Sequence, residues 1–434
     1  MSITLDLNFA RDKSLVAAIG PTLTCVRADP ATYYDSSGVM QIASANIPRW
    51  DHLPVSPFTS RGLLRERASI NLFLQSEDAT TSWTNISSNN TANAADAPDG
   101  NTTADKLYDD SSPSTVHYLA QTVATTAASA YTFSRFFKAA EYDYVALYAA
   151  GPNDGKFFNL AAGTVLGNLV GAPDAAGIED VGGGIYRCWI RITATAATTN
   201  FRTYLSTNGT SETHSGDGAS GVYHWGAQVE LGWLTSYIPT TTTSLPRAND
   251  LITSTDMSWY NQLLGKVFYI KATPSEDTAS GVDSLVIVVG AAPSGIYFTL
   301  ASAQNNALRA DHKTFAGDDG LILKNSEHQA GVETQFAVSV VTGRLNGYAN
   351  GNQLVTPGPD LSVTVGDAMT LLEIGSHDTF DTAYQWSGHI ARIVFDNELL
   401  DDAVVQAMST GKFPGGSGRS GPGLTFGGMG RMGA

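Results

Sequence analysis

The residues of this chain that suit a chemical role are mainly aromatic rings set among short polar side chains. Aromatic faces pack against the apolar side of a pyranose ring, and hydroxyl and amide side chains exchange hydrogen bonds with sugar hydroxyls. This combination predicts contacts with carbohydrate. The candidate rings for such contacts are Trp83, Tyr142, Tyr144, Trp189, Tyr384 and Trp386.

Several rings have a competing interpretation as parts of a core. Tyr223 and Trp225 lie on the apolar side of an alternating strand, which predicts that both are buried. Trp189 follows Cys188 in an apolar strand, so the pattern leaves its face open. Trp83 stands in the loop TTSWTN, where it is placed either to contact a ligand or to pack.

Two groups of carboxylates raise the question of a bound cation. In the loop HDTFDTAYQW, His377, Asp378 and Asp381 would offer an imidazole and hard oxygen ligands. A second group of carboxylates could hold a structural calcium in the same way; it consists of Asp96, Asp99 and Asp105. The alternative in both cases is a solvated acidic loop, and this is the interpretation that we favour. We expect no cofactor apart from such a calcium.

The sequence contains no motif that points to an enzyme. The sequence has no HExxH, GxSxG or Walker A motif, no zinc spacing and no pairing of Cys with His. A glycosidase needs two carboxylates about 5–9 Å apart. Glu141 and Asp143 form the nearest pair, and their place at the start of a strand predicts a surface pair. We therefore expect no enzymatic activity.

Composition narrows the class of partner. The formal net charge is −16, which argues against nucleic acid or an anionic membrane surface, because both require clustered Lys and Arg. No apolar run of 18 residues is present, and the beginning of the chain, MSITLDLNFARDKS, does not resemble a signal peptide. Cys25 and Cys188 lie far apart in apolar surroundings, which predicts two inert buried thiols.

The elements that must position these residues are predicted to be short strands. From Tyr223 to Leu231 apolar and polar residues alternate, as in a strand with one buried and one wet face. The Thr- and Pro-rich run SYIPTTTTSLPRAND follows and predicts a hinge. Similar strands recur between Gly, Asn, Asp and Ser clusters on both sides of it. Asn346-Gly347 and Asn350-Gly351 predict hairpin turns.

We therefore predict an all-β chain of two consecutive antiparallel β-sandwich (jelly-roll) domains. The boundaries are an irregular N-terminal docking segment over 1–70, a carbohydrate-binding-module-like jelly roll over 71–245, a linker over 246–259, a second sandwich over 260–410 and a Gly-rich tail over 411–434. A short closing helix should start near Asp401 or Asp402 and end at Gly411. The tail is either a disordered end or a strap that orders on assembly.

Residues 24–250 resemble a family of bacteriophage virion proteins. The segments that carry the resemblance follow one another as RADPATYYDSSGVMQIASANIPRWDH, GLLRERASINLFLQSED, TSWT, DAPDGNTTADKL, GGGIYRCWIRIT, GVYHWGAQVELG and SYIPTTTTSLPRAND. The family comprises head-spike, head-fibre and tail-fibre proteins with a carbohydrate-binding-module-like jelly roll, which also occur in gene transfer agents. The chain departs from the common form at Arg65-Glu66, where an acidic pair usually stands.

The second half is similar to the concanavalin A-like lectin and glucanase sandwiches. The similarity lies in LNGYANGNQLV, MTLLEIGS and YQWSGHIARIVFDNELLDDAVVQAMS, and it covers about 260–410. Glucanases of that group carry their catalytic acids as E-x-D-x-x-E, and this pattern is absent from the sequence. The resemblance therefore implies a lectin-like domain rather than a glucanase.

Together these resemblances imply a non-catalytic spike or fibre subunit on the virion surface, made in the bacterial cytoplasm. Its expected partners are other virion proteins (capsid, portal or tail components) and host surface polysaccharide, and its expected state is a homotrimer. Two alternatives stay open at this point. One is a glycoside hydrolase that degrades host capsule, and the other is a purely structural decoration protein.

Overall fold

The computed structural model describes residues 3–261, 266–275, 284–289, 295–301, 307–314, 317–324, 331–341, 344–353, 371–375, 386–397 and 400–413. The fold is all-β with antiparallel sheets, which confirms the predicted class. In chain order the elements are β1 (Ile3–Leu7), α1 (Phe9–Asp12), β2 (Thr24–Val26), β3 (Ala31–Tyr34), β4 (Met40–Ala43), β5 (Arg49–His52), β6 (Ser60–Arg65), β7 (Ser69–Asn71), β8 (Thr84–Ile86), β9 (Ser88–Ala95), β10 (Ala104–Asp109), β11 (Thr115–Val116), β12 (Tyr118–Ala124), β13 (Ala130–Ala139), β14 (Tyr144–Ala149), β15 (Asp154–Asn159), β16 (Thr164–Val170), β17 (Ala175–Asp180), β18 (Ile185–Thr193), β19 (Thr198–Ser206), β20 (Thr213–His214), β21 (Gly221–Leu231), β22 (Leu245–Arg247), β23 (Leu251–Ser254), β24 (Lys266–Pro274), β25 (Ser284–Val289), β26 (Gly295–Ala301), β27 (Ala307–Thr314), β28 (Gly317–Lys324), β29 (Thr334–Val341), β30 (Arg344–Ala349), β31 (Asn352–Gln353), β32 (Leu372–Ile374), β33 (Gly388–Asp396) and α2 (Asp402–Met408).

The chain divides into two compact units. The central unit consists of 28–60 and 68–249, and the terminal unit of 1–27, 61–67 and 250–434. This grouping differs from the domain boundaries that the sequence suggested, because pieces of the first 70 residues lie in the terminal unit. The predicted linker over 246–259 contains β22 and β23, and it is divided between the units at residue 250.

The central unit contains two six-stranded antiparallel sheets. Sheet I has the order β17-β18-β13-β21-β10-β9, and sheet II has the order β16-β15-β14-β19-β12-β8. Alternate side chains from both sheets form the main core, among them Phe133 and Ile190 of sheet I and Val145, Phe201 and Leu205 of sheet II. Because strand side chains alternate, the residues between these core positions face the outer sides of the sheets.

The outer side of sheet I is also covered. Phe136, Trp225 and Tyr237 form a second buried cluster there with Met40 of β4. Their rings meet at centroid distances of 4.7–5.9 Å. The β3–β4 hairpin, with its turn from Asp35 to Gly38, is therefore part of the central unit's packing.

Strand β21 corrects the prediction of one buried and one wet face. His224, Gln228 and Glu230, which the alternation places in water, are 4%, 0% and 0% exposed. The register of β13 against β21 shifts between Ser134 and Phe136, opposite Gly226 with its positive φ of 59°. This bulge changes which residues face the main core, so Trp225 is buried in the outer cluster, as core was predicted, while Tyr223 is only half-buried.

The buried acid of β21 is satisfied by neutral donors. The Glu230 carboxylate accepts hydrogen bonds from Ser69 Oγ at 2.6 Å, Gln228 Nε2 at 2.7 Å, and both N and Oγ1 of Thr235 at 2.8 and 2.6 Å. Such a network allows the strand to bury this carboxylate with both of its oxygens hydrogen-bonded.

The terminal unit also contains two antiparallel sheets. In one sheet β31, β30, β29, β24, β33 and β6 are neighbours in that order, and β1 pairs with β33. The other has the order β2-β23-β32-β25-β26-β27-β28. Val267, Tyr269 and Val394 pack with Val405 and Met408 of α2 in a buried cluster. Strand β1, near the start of the chain, therefore lies in the same sheet as β33, which precedes α2.

Local signals in the terminal unit gave mixed results. Asn350 and Gly351 have φ of 48° and 84° and form the predicted turn between β30 and β31. The prediction of a turn at Asn346-Gly347 is wrong, because both residues lie inside β30 and pair with β29. Asp401 is the N-cap of α2, as expected, and the helix ends at Met408, three residues before Gly411.

Two further expectations concern helices and thiols. Within the part of the chain that the structure describes, no helix is long and apolar enough to cross a membrane. Cys25 and Cys188 are both buried thiols that are not joined in a disulfide, as predicted. Burial raises the pKa of the Cys188 thiol well above its usual value, which keeps this sulfur protonated and unreactive.

Candidate functional site

Trp83 is packed by its neighbours. Its Nε1–H donates a hydrogen bond to the Gln75 carbonyl oxygen at 3.0 Å, and its ring centroid lies 4.9 Å from that of Phe73. The guanidinium of the buried Arg135 lies 4.2 Å from the ring centroid. Because a cation covers one face, that face is closed to a sugar.

Tyr142 is also engaged within the protein. Its hydroxyl donates to Asp109 Oδ2 at 2.5 Å, and its ring meets that of His214 edge to face at 5.5 Å. Burial and the hydrogen bond to Asp109 both raise the pKa of the Tyr142 hydroxyl. The Tyr142 hydroxyl is therefore already bonded to Asp109, the last residue of β10.

The other described candidate rings differ in how far they are covered. Trp386 is 1% exposed, so the prediction that it stacks on a sugar is wrong: the ring is part of the interior. Trp189 and Tyr144 are half-buried and lie over glycines on the two sheets. A Cβ on Gly177 would come within 2.5 Å of the Trp189 ring, and a Cβ on Gly209 within 2.7 Å of the Tyr144 ring.

Of the two predicted groups of cation ligands, only the second lies within the described residues. Tyr384, His377, Asp378 and Asp381 lie outside the described residues. Within the described ranges no group of three or more His, Cys, Asp or Glu is placed to hold a metal ion. The carboxylates of the second predicted group accept local hydrogen bonds from Thr102, Asn101, Ala79 and Asn93 instead; these are Asp96, Asp99 and Asp105.

Glu141 lies at the surface beside a lysine. Its carboxylate pairs with Lys106 Nζ at 2.8 Å and accepts a hydrogen bond from the Gly221 amide at 3.1 Å. The hydrogen bond from Lys106 is the main cause that lowers the pKa of Glu141. A general acid needs a raised pKa, whereas the pKa of Glu141 is lowered. The position of Glu141 is therefore that of a surface carboxylate, as predicted.

A row of tyrosines on the outer side of sheet II forms a different site. Tyr118, Tyr204 and Tyr148 come from the adjacent strands β12, β19 and β14, on which alternate residues fill the main core. The rings of Tyr118 and Tyr204 lie 4.9 Å apart, and those of Tyr148 and Tyr204 lie 5.9 Å apart. Phe157 and Ala146 pack against these rings on the same side of the sheet.

Arg202 lies at the centre of this row. Its guanidinium carbon is 4.8 Å from the ring centroid of Tyr118 and 5.5 Å from that of Tyr148. Arg202 Nη1–H donates to the Tyr204 hydroxyl at 3.0 Å, and Nε–H donates to Asn200 Oδ1 at 2.7 Å. The group is therefore held at two nitrogens and flanked by two rings.

Asn200 extends the row towards the end of the sheet. Its amide Nδ2 donates to Thr122 Oγ1 at 2.9 Å. We name the set Tyr118, Thr122, Tyr148, Asn200, Arg202 and Tyr204 the tyrosine–arginine face. All but Tyr204 remain accessible to solvent to some degree.

Charge on the face is set by mutual contacts. Burial alone would lower the pKa of Arg202, but the hydrogen bond to Tyr204 and the neighbouring phenol oxygens outweigh it and raise the pKa. Burial also raises the pKa of Tyr204, against the opposing effect of Arg202. At neutral pH the face therefore presents one cation among neutral groups.

An open recess adjoins the face. Strand β8 begins at Thr84, which pairs with Ala120, so β12 continues over 121–124 without β8 beside it. The recess there has a volume of about 530 Å³. Its lining consists of Leu72, Leu74, Ser82, Thr84, Gln121, Thr122, Val123, Ala124, Asn200 and Ser244. Thr122 and Asn200 belong to both, which makes face and recess one surface.

The sequence contains a signal for this face that we did not use. In the segment NFRTYLS, Phe201, Thr203 and Leu205 are buried inward, so Arg202 and Tyr204 must point outward. Placing them beside Tyr118 and Tyr148 requires the strand order, which periodicity alone does not provide.

Several solved structures resemble parts of the chain, and three of them are described below, whereas no family model and no curated protein matches it. One is the CBM40 of the Ruminococcus gnavus IT-sialidase, bound to α2,3-sialyllactose. It is 14% identical with a TM-score of 0.29, and the alignment covers 34% of this chain and 83% of the CBM40 chain. The leech intramolecular trans-sialidase is 13% identical with a TM-score of 0.30, over 36% of this chain and 24% of its own.

A SAP-like pentraxin from Limulus polyphemus is 16% identical with a TM-score of 0.28, over 34% of this chain and 71% of its own. At these scores the three similarities carry no argument about function. None of the three is a virion protein, so the virion origin stays an expectation from the sequence resemblance.

Proposed function

We propose that this chain is a non-catalytic carbohydrate-binding protein and that the tyrosine–arginine face holds the glycan. The observation that carries the proposal is the alignment of three tyrosine rings, one guanidinium and one amide across adjacent strands, next to an open recess lined by both polar and apolar side chains. Rings supply apolar contact to a sugar, while the amide, the hydroxyl and the cation supply hydrogen bonds that fix its orientation.

The dimensions suit a short stretch of a glycan chain. Neighbouring strands lie about 4.8 Å apart, so Tyr118 and Tyr148, two strands apart, are separated by roughly 10 Å. The recess continues the same surface beyond Thr122. A flat, open face of this kind binds each saccharide weakly, and useful adhesion then comes from many copies acting together.

The role we propose for this adhesion is attachment of a virion to host surface polysaccharide, by a spike or fibre subunit assembled as a homotrimer. The support is the ordered set of segments over 24–250 that is similar to phage virion proteins. A capsule-degrading enzyme is the competing proposal, and it predicts new reducing ends when the protein is incubated with host polysaccharide; we expect none.

The binding face is tested by comparing rings on the two sheets. Tyr118→Ala and Tyr148→Ala should each weaken binding to a responsive oligosaccharide on a glycan array about 2- to 12-fold, the value of one ring contact. Trp189→Ala removes a half-buried ring from sheet I and is the matched control. Unchanged unfolding temperatures would show that the variants are folded.

Two outcomes would count against the proposed face. Glycan binding that is lost in Trp189→Ala but kept in both tyrosine variants would move the site to sheet I. Failure of the wild-type chain, displayed as many copies on beads, to bind any glycan on the array would remove the carbohydrate role. The virion role is tested separately, by gold-labelled antibodies to the chain on particles released by the source bacterium.

A further inference from the structure

We infer that the glycan is acidic and that Arg202 receives a carboxylate of one of its sugars. This inference rests on the proposed carbohydrate role and adds the chemical class of the ligand. It follows from how the guanidinium is held and from which of its atoms remain available.

The guanidinium of Arg202 has one nitrogen available. Nε and Nη1 donate to Asn200 and Tyr204, and the two rings beside it cover its sides. Among the described residues no atom accepts a hydrogen bond from Nη2. The side chain is half-buried, so this available edge lies at the surface of the face. Nη2 keeps its N–H donors for a ligand, and a carboxylate accepts charge-assisted hydrogen bonds from such a group.

The groups that hold Arg202 are all neutral. Among the other arginines of the described chain, Arg27 pairs with Asp250 at 2.7 Å and Arg392 with Asp6 at 3.0 Å, whereas Arg187 donates to neutral oxygens of Thr235 and Ser134. Arg202 likewise contacts an amide and phenols, although acidic residues outnumber basic ones by 41 to 25. Its charge is therefore uncompensated within the described protein, and an incoming anion meets it in full.

The contacts that hold Arg202 also fix its guanidinium before a ligand binds. A free arginine side chain loses much rotamer freedom when it is fixed by a ligand, and this loss weakens binding. Here two hydrogen bonds and two rings have already fixed the guanidinium in the free protein. The neighbouring Thr122 and Asn200 at the recess then meet the hydroxyls of the same or the next sugar, which favours a sugar acid over an isolated carboxylate.

Carboxyl reduction provides the test. The immobilised full-length chain is compared on acidic capsular polysaccharides containing hexuronic or nonulosonic acids and on the same polymers after their carboxyl groups are reduced to alcohols. We expect binding to the acidic forms and a loss of about 10- to 150-fold on reduction, the value of a charged hydrogen-bonded pair. Acetate at the same carboxylate concentration should not compete.

The matched variants are Arg202→Gln and Arg191→Gln. Arg191 also stacks on a ring, with its guanidinium carbon 4.5 Å from the Trp233 centroid, and it lies on sheet I. Both variants remove one positive charge, so a difference in their binding shows which arginine contacts the ligand. Arg202→Gln should abolish the preference for the acidic over the reduced polymer, whereas Arg191→Gln should keep it. Arg202→Lys should retain part of it.

Each outcome supports or overturns the inference. Equal binding of acidic and reduced polymers, with both forms weakened by Tyr118→Ala, would overturn the carboxylate assignment and leave the carbohydrate face standing. An acid preference that survives Arg202→Gln in folded protein would also overturn it. Absence of binding to every polymer would overturn the proposed function together with the inference.

Discussion

His224 is a buried histidine of sheet I that the fold keeps neutral. Burial, and next the nearby Arg135 cation, hold the pKa of His224 well below its usual value. Its Nε2 lies 2.9 Å from Asn90 Oδ1, a neutral partner. Since protonation would place a second charge beside Arg135 in the interior, folding and protonation of His224 oppose each other.

This linkage predicts a loss of stability in mild acid. The unfolded chain takes up a proton near pH 6.5 and the folded chain does not, so the histidine's contribution is present above that pH and is lost as pH falls below it. Between pH 7.5 and 5.5 we expect His224 to cost the central unit about 1 kcal/mol. Urea unfolding followed by tryptophan fluorescence measures the difference.

The control separates titration from packing. His224→Gln should lower stability at both pH values and flatten the pH dependence by this amount. Asn90→Ala removes the partner but leaves the histidine, so its pH dependence should stay like that of the wild type. An equal slope in His224→Gln and wild type would mean that other groups cause the acid loss.

Predictions about single residues were correct where one property of the residue determines whether it is buried. The two cysteines are buried because an apolar context leaves few other places for a thiol. The polar members of β21 were misplaced, since Glu230 is buried by donors from Ser69 and Thr235, on segments outside the strand. A polar residue's burial depends on partners that its own strand does not reveal.

At the scale of the element, Gly226 sets the register of β21 against β13. Its φ is +59°, and a Cβ there would lie 2.8 Å from Phe136 Cδ2. Gly226→Ala should therefore combine backbone strain with crowding of the outer cluster and destabilise the central unit by about 2–4 kcal/mol. The measurement is the urea unfolding midpoint.

Gly167 provides the matched control on sheet II. It lies in β16, has no atom within 4 Å of an added Cβ and has no positive φ. Gly167→Ala should leave stability unchanged within about 0.5 kcal/mol. Equal effects of the two substitutions would show that the bulge is not the cause.

Strand β1 completes the sheet of the terminal unit from the other end of the chain. Leu5 is 0% exposed and pairs with Phe395 of β33. Leu5→Ala should leave a cavity that destabilises this unit by about 2–5 kcal/mol. Hydrogen exchange should then show faster exchange of amides in β33 and unchanged exchange in β13 of the central unit.

Val16, in the same unit, tests whether any apolar truncation has this effect. Its side chain is 60% exposed, so Val16→Ala should leave the β33 amides protected as in the wild type. Faster exchange in both β33 and β13 after Leu5→Ala would contradict the assignment of β1 to the terminal unit alone.

Periodicity located elements well where apolar residues are dense. The pattern of β14 is clear in the sequence, because its alternate residues fill the core. Strands β16 and β17 have a much weaker pattern, since both lie at sheet edges, carry glycine and bury few side chains. Asn346-Gly347 was misread for the opposite reason: pairing of β30 with β29 overrides the local turn preference.

At the scale of the whole molecule, two β units were predictable but their composition was not. The run SYIPTTTTSLPRAND does lead from one unit to the other, with the change at residue 250. That 1–27 and 61–67 join the terminal unit depends on pairing across more than 300 residues of sequence, as between β1 and β33. Turn and strand signals act over a few residues and carry no information about such pairing.

The net charge of the chain opposes the ligand that we infer. With a formal charge of −16, the protein repels an acidic polysaccharide at long range, while Arg202 attracts a carboxylate only at contact. Raising NaCl from 10 to 150 mM shortens the screening length from about 30 Å to about 8 Å. Association with an acidic polysaccharide should therefore become several-fold faster with salt, because the repulsion is screened first.

Surface plasmon resonance separates the two effects. Arg202→Gln changes the net charge by a single unit, so its association rate should show nearly the same salt dependence as that of the wild type. Its dissociation rate should rise about 10- to 150-fold at both salt concentrations, because the contact that is lost forms only after docking. Association that slows with salt in the wild type, or an Arg202→Gln effect confined to association, would mean that a local positive field steers the ligand and that Arg202 acts at a distance rather than by contact.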